Sequence, residues 1–353
     1  MDGFRHHLVR LTVVVLLLGR LVPAQAAPTD PAVLPSSRIA VVGDMQRTGT
    51  IEFWRERNHD ASARIMTMVV GERPQALFLL GDMVWWGSSD VEWDRFDTIM
   101  LPVYAAGIPV MPILGNHEYL GDTATGLQHV RRRFPTMKMD HDVRIIDSIA
   151  FVLLNTNLGS MTPDQARKQR QWFAYTLRRL DADPSVLHVV VCGHHPPFTN
   201  SRVTRPNRRM QQTFLPFFQW SDKTSIWFAG HAHSYERFDV EGKQYIVAGG
   251  GGAPRQDVRL EEEGARFDDQ YDGPARRPLH YLMLERRGRA LTCTMHPLDG
   301  VPTRYHRDVV TIRAVDQSTA AMANSSERMR ATIFPLLITP GSPAPGWVPA
   351  PAK

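Results

Sequence analysis

Ile108-Pro109-Val110-Met111-Pro112-Ile113-Leu114-Gly115-Asn116-His117-Glu118 is an apolar run that stops at a glycine and continues at once with an amide, an imidazole and a carboxylate. The run reads as a buried strand with a turn residue at its end. Gly115 lets the backbone bend where the strand stops. The carboxyl end of a strand is where an α/β sheet places its sites. Alone, Gly-Asn is a common turn and a loop histidine is commonly just solvated. The weight of the motif comes from its repetition.

Upstream, Ile39-Ala40-Val41-Val42 ends in Gly43-Asp44-Met45-Gln46, and Ala76-Leu77-Phe78-Leu79-Leu80 ends in Gly81-Asp82. Downstream, Leu187-His188-Val189-Val190-Val191-Cys192 ends in Gly193-His194-His195-Pro196, and Ser225-Ile226-Trp227-Phe228-Ala229 ends in Gly230-His231-Ala232-His233. Helical periodicity covers Arg64 to Val70, Trp93 to Tyr104 and Met210 to Trp220. Thr162-Pro163-Asp164 opens a longer helix to about Leu180, with Thr162 as its cap. Residues 139 to 154 read as a hairpin, as do the later runs Tyr235–Val240, Gln244–Ala248, Tyr281–Leu284 and Leu291–Met295. The polar stretch 253 to 278 reads as a mobile surface loop. Strand-helix alternation followed by hairpins predicts an α/β fold: two mixed β-sheets packed face to face as a sandwich, flanked by helices.

The chain has 353 residues, 43% hydrophobic and 22% charged, enough for a large core. One domain is expected over residues 37–312. Residues 1–26 read as a secretory signal: Arg5 and Arg10, then Leu11 to Leu18, then Ala24-Gln25-Ala26. Arg20 is atypical there, which leaves an uncleaved anchor as the minority reading. Residues 27–36 read as a flexible lead-in, and 313–353 as a mostly disordered tail. A secreted or periplasmic chain without a membrane span in its mature part is expected. The formal charge is +5; Arg5, Arg10 and Arg20 against Asp2 give the signal +2 and leave +3 for the rest. That mild bias suits an anionic small molecule and points to no specific nucleic-acid partner. Oligomeric state has no signature. Cys192 and Cys293 are expected as buried free thiols rather than a bridge.

Asp44, Asp82, Asn116, His117, His194, His231 and His233 thus stand at five strand ends. Carboxylate, imidazole and amide oxygen are ligands for borderline divalent metals. One carboxylate can bridge two such ions about 3.5–4 Å apart, an arrangement used for displacement at phosphorus. Each residue alone fits an ordinary turn; independent turns would rarely offer only ligand types. His188 lies inside a strand and reads as a packed core histidine, while His59, His129 and His141 show no ligand spacing. Arg202 and Arg205, on the loop after His195, read equally well as a phosphate clamp and as a solvated basic loop. Trp85 and Trp86 suit stacking on a leaving group or ordinary packing.

The ordered set Gly43-Asp44, Gly81-Asp82, Gly115-Asn116-His117-Glu118, Gly193-His194-His195-Pro196 and Gly230-His231-Ala232-His233 resembles the motifs of calcineurin-like metallophosphoesterases, over roughly residues 38 to 298. Tyr235-Glu236-Arg237 and Gly249-Gly250-Gly251-Gly252-Ala253 are similar to the purple acid phosphatase-like branch. The resemblance implies two divalent ions, Mn, Zn or Fe. Asp44 and His233 would hold the first, Asp82 would bridge, and Asn116, His194 and His231 would hold the second. His117 would protonate the leaving oxygen, with Glu118 orienting it. Asn116 would also meet the substrate and His195 would stand behind the ligands or in the pocket wall; Arg202 and Arg205 are substrate-binding candidates on the loop reading alone. The implied activity is phosphomonoester hydrolysis by a hydroxide at the dinuclear site. A phosphodiesterase acting on nucleotides or lipid head groups, or a non-catalytic phosphate-binding module, are the alternatives. Two positions depart from the pattern. Gln46 stands where many relatives have a histidine, so it is a weak additional ligand for the first ion. Trp85 stands where purple acid phosphatases have a ligating tyrosine, so a colourless enzyme is expected.

Overall fold

The computed structural model describes residues 37–49, 52, 54–300 and 307–315. The signal, the lead-in and residues 316–353 lie outside the described residues. The strands are β1 Ser37–Val42, β2 Ala76–Leu79, β3 Val110–Pro112, β4 His141–Ile146, β5 Ile149–Leu154, β6 His188–Gly193, β7 Thr224–Ala229, β8 Tyr235–Val240, β9 Lys243–Ala248, β10 His280–Arg287, β11 Ala290–Pro297 and β12 Val309–Arg313. The helices are α1 Ala61–Glu72, α2 Asp90–Ala105, α3 Thr123–Arg133, α4 Pro163–Ala182 and α5 Arg208–Trp220. The strands form two six-stranded mixed sheets, ordered β12-β11-β10-β1-β2-β3 and β4-β5-β6-β7-β9-β8. Within them β1, β2 and β3 run parallel, as do β5, β6, β7 and β9.

Why the central strands are apolar at every position follows from this layering. Ile39, Val41 and Phe78 face Phe151, Val190 and Phe228 of the other sheet, and Phe78 stacks on Phe151 with ring centroids 4.2 Å apart. The alternate residues Ala40, Val42, Leu77 and Leu79 pack with α1 and α2 residues such as Ile65, Val69, Trp93 and Phe96. On the other outer face, Val152, Val191 and Trp227 meet Phe173, Phe214 and Phe218 of α4 and α5. A parallel strand covered on both sides has no polar face to show.

α4 begins as read: Thr162 and Gln165 form a reciprocal capping box, with Pro163 in the first turn. Other elements differ from expectation. β3 is shorter than the apolar run around it, because Pro109 and Pro112 have no N–H for a ladder. α3 had no clear signature in Thr123-Ala124-Thr125-Gly126; it is started by Asp122, whose Oδ1 accepts from Thr125 N at 2.8 Å. β12 reaches Arg313, one residue past the expected domain end. The stretch 253–278 is not a free surface loop. Ala253 and Val258 are fully buried, and the Arg277 guanidinium is buried against Asp269. Cys192 and Cys293 are buried free thiols, as expected. Among the described residues no helix is long and apolar enough to cross a membrane.

His188 is the core histidine expected of it. Its Nδ1 pairs with Ser225 Oγ at 2.9 Å and its Nε2 with the Arg289 carbonyl at 3.1 Å, tying β6 to β7 and to the β10–β11 turn. Burial lowers its pKa to about 4, although the Arg289 carbonyl works the other way. The unfolded chain therefore takes up this proton near pH 6.5 and the folded chain only near 4. Its share of stability is complete above pH 6.5 and drains as pH falls toward 4. Between pH 7 and pH 5, urea unfolding of His188→Gln should show roughly 2 kcal/mol less pH-dependent loss than wild type, the buried histidines elsewhere keeping their own share. An unchanged pH slope in the variant would refute the assignment.

Candidate metal centre

The carboxyl ends of the parallel strands meet along one edge of the sandwich. There the backbone bends sharply: Asp44, Asp82 and His231 have φ of 60°, 52° and 67°, in the left-handed region that non-glycine residues rarely adopt. Two glycines let the ends of β2 and β3 touch. A Cβ on Gly81 would lie 2.4 Å from Gly115 N, and a Cβ on Gly115 would lie 2.1 Å from Asp82 Oδ1.

Two clusters of ligand-type atoms result, Asp82-His194-His231 and Asp44-Asp82-His233, each with its atoms within 4.8 Å of one another. Asp82 belongs to both. His194 Nε2 is 3.3 Å from Asp82 Oδ2 and 3.1 Å from Asn116 Oδ1. His233 Nε2 is 3.6 Å from Asp44 Oδ1. Asp44 also accepts from His231 N, at 2.9 Å to each oxygen. The far nitrogens of the rings are engaged by carbonyls. His194 Nδ1 lies 2.8 Å from Leu80 O, and His233 Nδ1 lies 2.8 Å from Pro254 O. Such carbonyls take the Nδ1 proton and aim Nε2 inward, the orientation a metal-ligating imidazole needs.

Electrostatics say the same. Asp44, Asp82 and Glu118 are all buried within this small region. Burial pushes the Asp44 carboxyl well up, and the charge of Asp82 adds to it. Burial and Asp82 likewise raise Glu118. Asp82 itself stays far below the usual carboxylate range; burial opposes this, but His194 and His117 outweigh it. Burial alone would lower His194, yet Asp82 raises it to about 9. Burial and the charge of His194 hold His231 down at about 2, and burial holds His233 at about 4. Crowded carboxylates beside neutral imidazoles are short of positive charge. The donor set of carboxylates, imidazoles and an amide oxygen fits one or more divalent cations.

The other expected residues are placed as follows. His117 sits at the half-exposed rim: its Nδ1 is 2.6 Å from Trp85 O, its N donates to Asp82 Oδ1 at 2.9 Å, and its Nε2 is 3.8 Å from Asp82 Oδ2. Trp85, not Glu118, fixes that ring. The Glu118 carboxylate turns inward and accepts from the backbone N–H groups of Asp82 at 3.0 Å, Met83 at 2.8 Å and Gly115 at 2.7 Å. His195 lies beside His231, ring centroids 4.6 Å apart, with Nδ1 2.9 Å from Thr156 Oγ1. Gln46 is buried, with its amide nitrogen 3.2 Å from His233 Nε2. Arg202 is not brought in: it is half exposed and ion-paired with Glu263. Arg205 is exposed on the same loop. Sequence reading missed Thr156, although it follows the apolar strand Phe151–Leu154 as the other site residues follow theirs. Glu236, read only as part of a motif and given no role, is a buried carboxylate that accepts from Thr199 Oγ1 at 2.6 Å and Ser234 Oγ at 2.9 Å, tying the His194 loop to the His233 loop. The orienting carbonyls of Leu80, Trp85 and Pro254 leave no trace in side-chain identity.

A sequence model described as calcineurin-like phosphoesterase matches residues 37–235. The chain belongs to the calcineurin-like phosphoesterase family. Purple acid phosphatase 21 of Arabidopsis thaliana is 26% identical over 240 residues, covering 64% of this chain and 52% of that protein. The chain thus spans about half the length of the curated relatives it matches. Among solved structures, purple acid phosphatase PPD1 of yellow lupin (Lupinus luteus) superposes with a TM-score of 0.62 at 16% identity, covering 79% of this chain and 54% of that one. GAP50 of Plasmodium, described as the anchor in the inner membrane complex, superposes with a TM-score of 0.59 at 12% identity, covering 82% of this chain and 94% of that one. At such identities these likenesses carry the fold alone.

The three amides on Glu118 yield a stability prediction for this family member. Glu118→Ala leaves three buried N–H groups without an acceptor, at about 1 kcal/mol each. Urea unfolding of the metal-free protein should show a loss of roughly 3 kcal/mol or more. A loss under about 1 kcal/mol would mean the carboxylate is not what joins the ends of β2 and β3.

Proposed function

We propose that this protein is a metal-dependent phosphomonoesterase. Asp44, Asp82 and His233, with Gln46, hold one cation, and Asp82, Asn116, His194 and His231 hold the other. The observation that carries the reading is the sharing of Asp82 between two buried ligand clusters, with His117 at their exposed rim. Bound divalent ions would polarise the phosphoryl oxygens and make water acidic near neutral pH. Mn, Zn or Fe suits these donors, and no residue argues for one over another.

The chain's own groups do the rest. His117 donates Nδ1–H to the Trp85 carbonyl, so its Nε2 is the atom turned toward a bound ester. Protonated there, it hands its proton to the departing alkoxide, a general-acid role worth about 10²–10⁴-fold. Asn116 is placed to meet both a cation and a phosphate oxygen through the two ends of its amide. His195, buried beside His231 and held neutral with a pKa of about 3 by burial and the charge of His194, forms part of the wall. Glu118 acts through the backbone rather than on the ester. Arg202 is engaged by Glu263, which speaks against a phosphate clamp on that loop. Relatives named as acid phosphatases support the monoester over the diester. The pattern of residues 1–26 supports an exported enzyme acting on small phosphorylated molecules.

Purified protein loaded with Mn²⁺ or Zn²⁺ should hydrolyse p-nitrophenyl phosphate faster than its bis-ester. His117→Ala should cut turnover by about 10²-fold or more with metal content unchanged. If neither protein turns over any ester with either ion, the hydrolase reading fails. If the bis-ester is preferred, the monoester assignment fails.

A further inference from the structure

Gln46 follows Asp44 by two residues, and its main chain is fixed by an N–H donated to Asp82 O at 3.2 Å. Only its side chain is free to turn, and that side chain is 3% exposed. The amide nitrogen lies 3.2 Å from His233 Nε2 and 3.4 Å from Asp82 Oδ2. Because His233 Nδ1 already gives its proton to the Pro254 carbonyl, Nε2 is an acceptor, and the Gln46 N–H donates to it. Two lone pairs of the Asp44-Asp82-His233 cluster are thus covered by one amide. The other end of that amide is different: Gln46 Oε1 is buried with no hydrogen-bond partner among the described residues. A buried amide oxygen without a donor is unusual. Among the described residues all the polar contacts of this side-chain amide therefore lie on the cluster side, and no hydrogen bond on the far side opposes rotation.

The last torsion of glutamine is soft and roughly two-fold. Half a turn exchanges Nε2 with Oε1 and puts a carbonyl oxygen against His233 Nε2 and Asp82 Oδ2. Without a cation these lone pairs repel one another. With a cation between them they form a ligand set.

We propose that Gln46 is a reversible stopper for one half of the centre. Its amide nitrogen closes the Asp44-Asp82-His233 half in the metal-free protein. A cation entering there turns the amide, and Oε1 becomes a ligand. The half built from Asp82, Asn116, His194 and His231 is closed only by one of its own ligands, His194 Nε2 at 3.1 Å from Asn116 Oδ1 and 3.3 Å from Asp82 Oδ2, and by no side chain that must first turn over. The two halves therefore fill in separate steps, and Gln46 sets the affinity of the weaker one. This rests on the two-cation reading above but concerns binding rather than turnover.

The test is a Mn²⁺ titration of the metal-free full chain at fixed pH, with free and bound ion followed by electron paramagnetic resonance. Wild type should take up two ions in steps at least about tenfold apart. Spin coupling between the ions should appear only in the second step. Gln46→His, which supplies an imidazole without the blocking amide, should tighten the second step by about tenfold or more and leave the first unchanged. Gln46→Ala should loosen the second step by a similar factor. Equal affinities in wild type, or both variants titrating like wild type, would overturn the proposal. Circular dichroism checks that the variants fold, and the histidine variant keeps the test decisive if the alanine variant does not. Stepwise binding without ester turnover would sink the phosphatase reading and leave this one standing; turnover with two equivalent ions would do the reverse.

Discussion

Three acid groups, Asp44, Asp82 and Glu118, are sealed from water within one small region, and they cannot all keep their charge unaided. The fold around them can be read as the set of answers to that difficulty. Glu118 is given three backbone N–H groups. Asp44 is given the His231 amide. Asp82 is given His194, which keeps a proton to well above its ordinary range for that reason. A proton on His194 is the least specific of these answers, and a divalent ion is the better one.

Holding those groups together requires backbone that L-residues resist. Asp44, Asp82 and His231 all adopt left-handed φ, and each belongs to one of the two clusters that share Asp82. Such strain survives only where surrounding contacts over-determine it. Here they do: the Asp44 N–H reaches Gly81 O, the Met45 N–H reaches Asp82 O, and Glu118 grips both β2 and β3 ends. The strained turns and the buried carboxylates are therefore one design viewed from two sides.

Much of this is legible in the amino-acid sequence alone. Strand ends are marked twice in the sequence, by an apolar run that stops and by a glycine that follows, and a ligand-type side chain after each mark is a strong coincidence. Two sheets covered on both faces follow from runs with no polar alternation. What escaped reading was whatever depends on direction rather than identity. Glu118 stands next to His117 in sequence yet turns away from it, because three amides outbid one imidazole. Arg202 stands a few residues from His195, yet Glu263 takes it. The stretch 253–278 looked too polar to pack, but its carboxylates and arginines neutralise one another and its Pro254 carbonyl reaches His233. Carbonyl partners exist at every residue, so composition cannot single them out.

The carbonyl that steadies His194 belongs to Leu80, at the end of a strand in the opposite sheet, and Asn157 likewise reaches across to Leu114 O at 3.1 Å. Neither layer owns a complete set of donors. Sliding one layer over the other by even a fraction of a strand repeat would pull the imidazole off its carbonyl and separate the shared carboxylate from its partners. Mechanical coupling between the layers and chemical competence are thus the same quantity in this molecule. Any cation seated at Asp82 would serve as a rivet as much as a reagent.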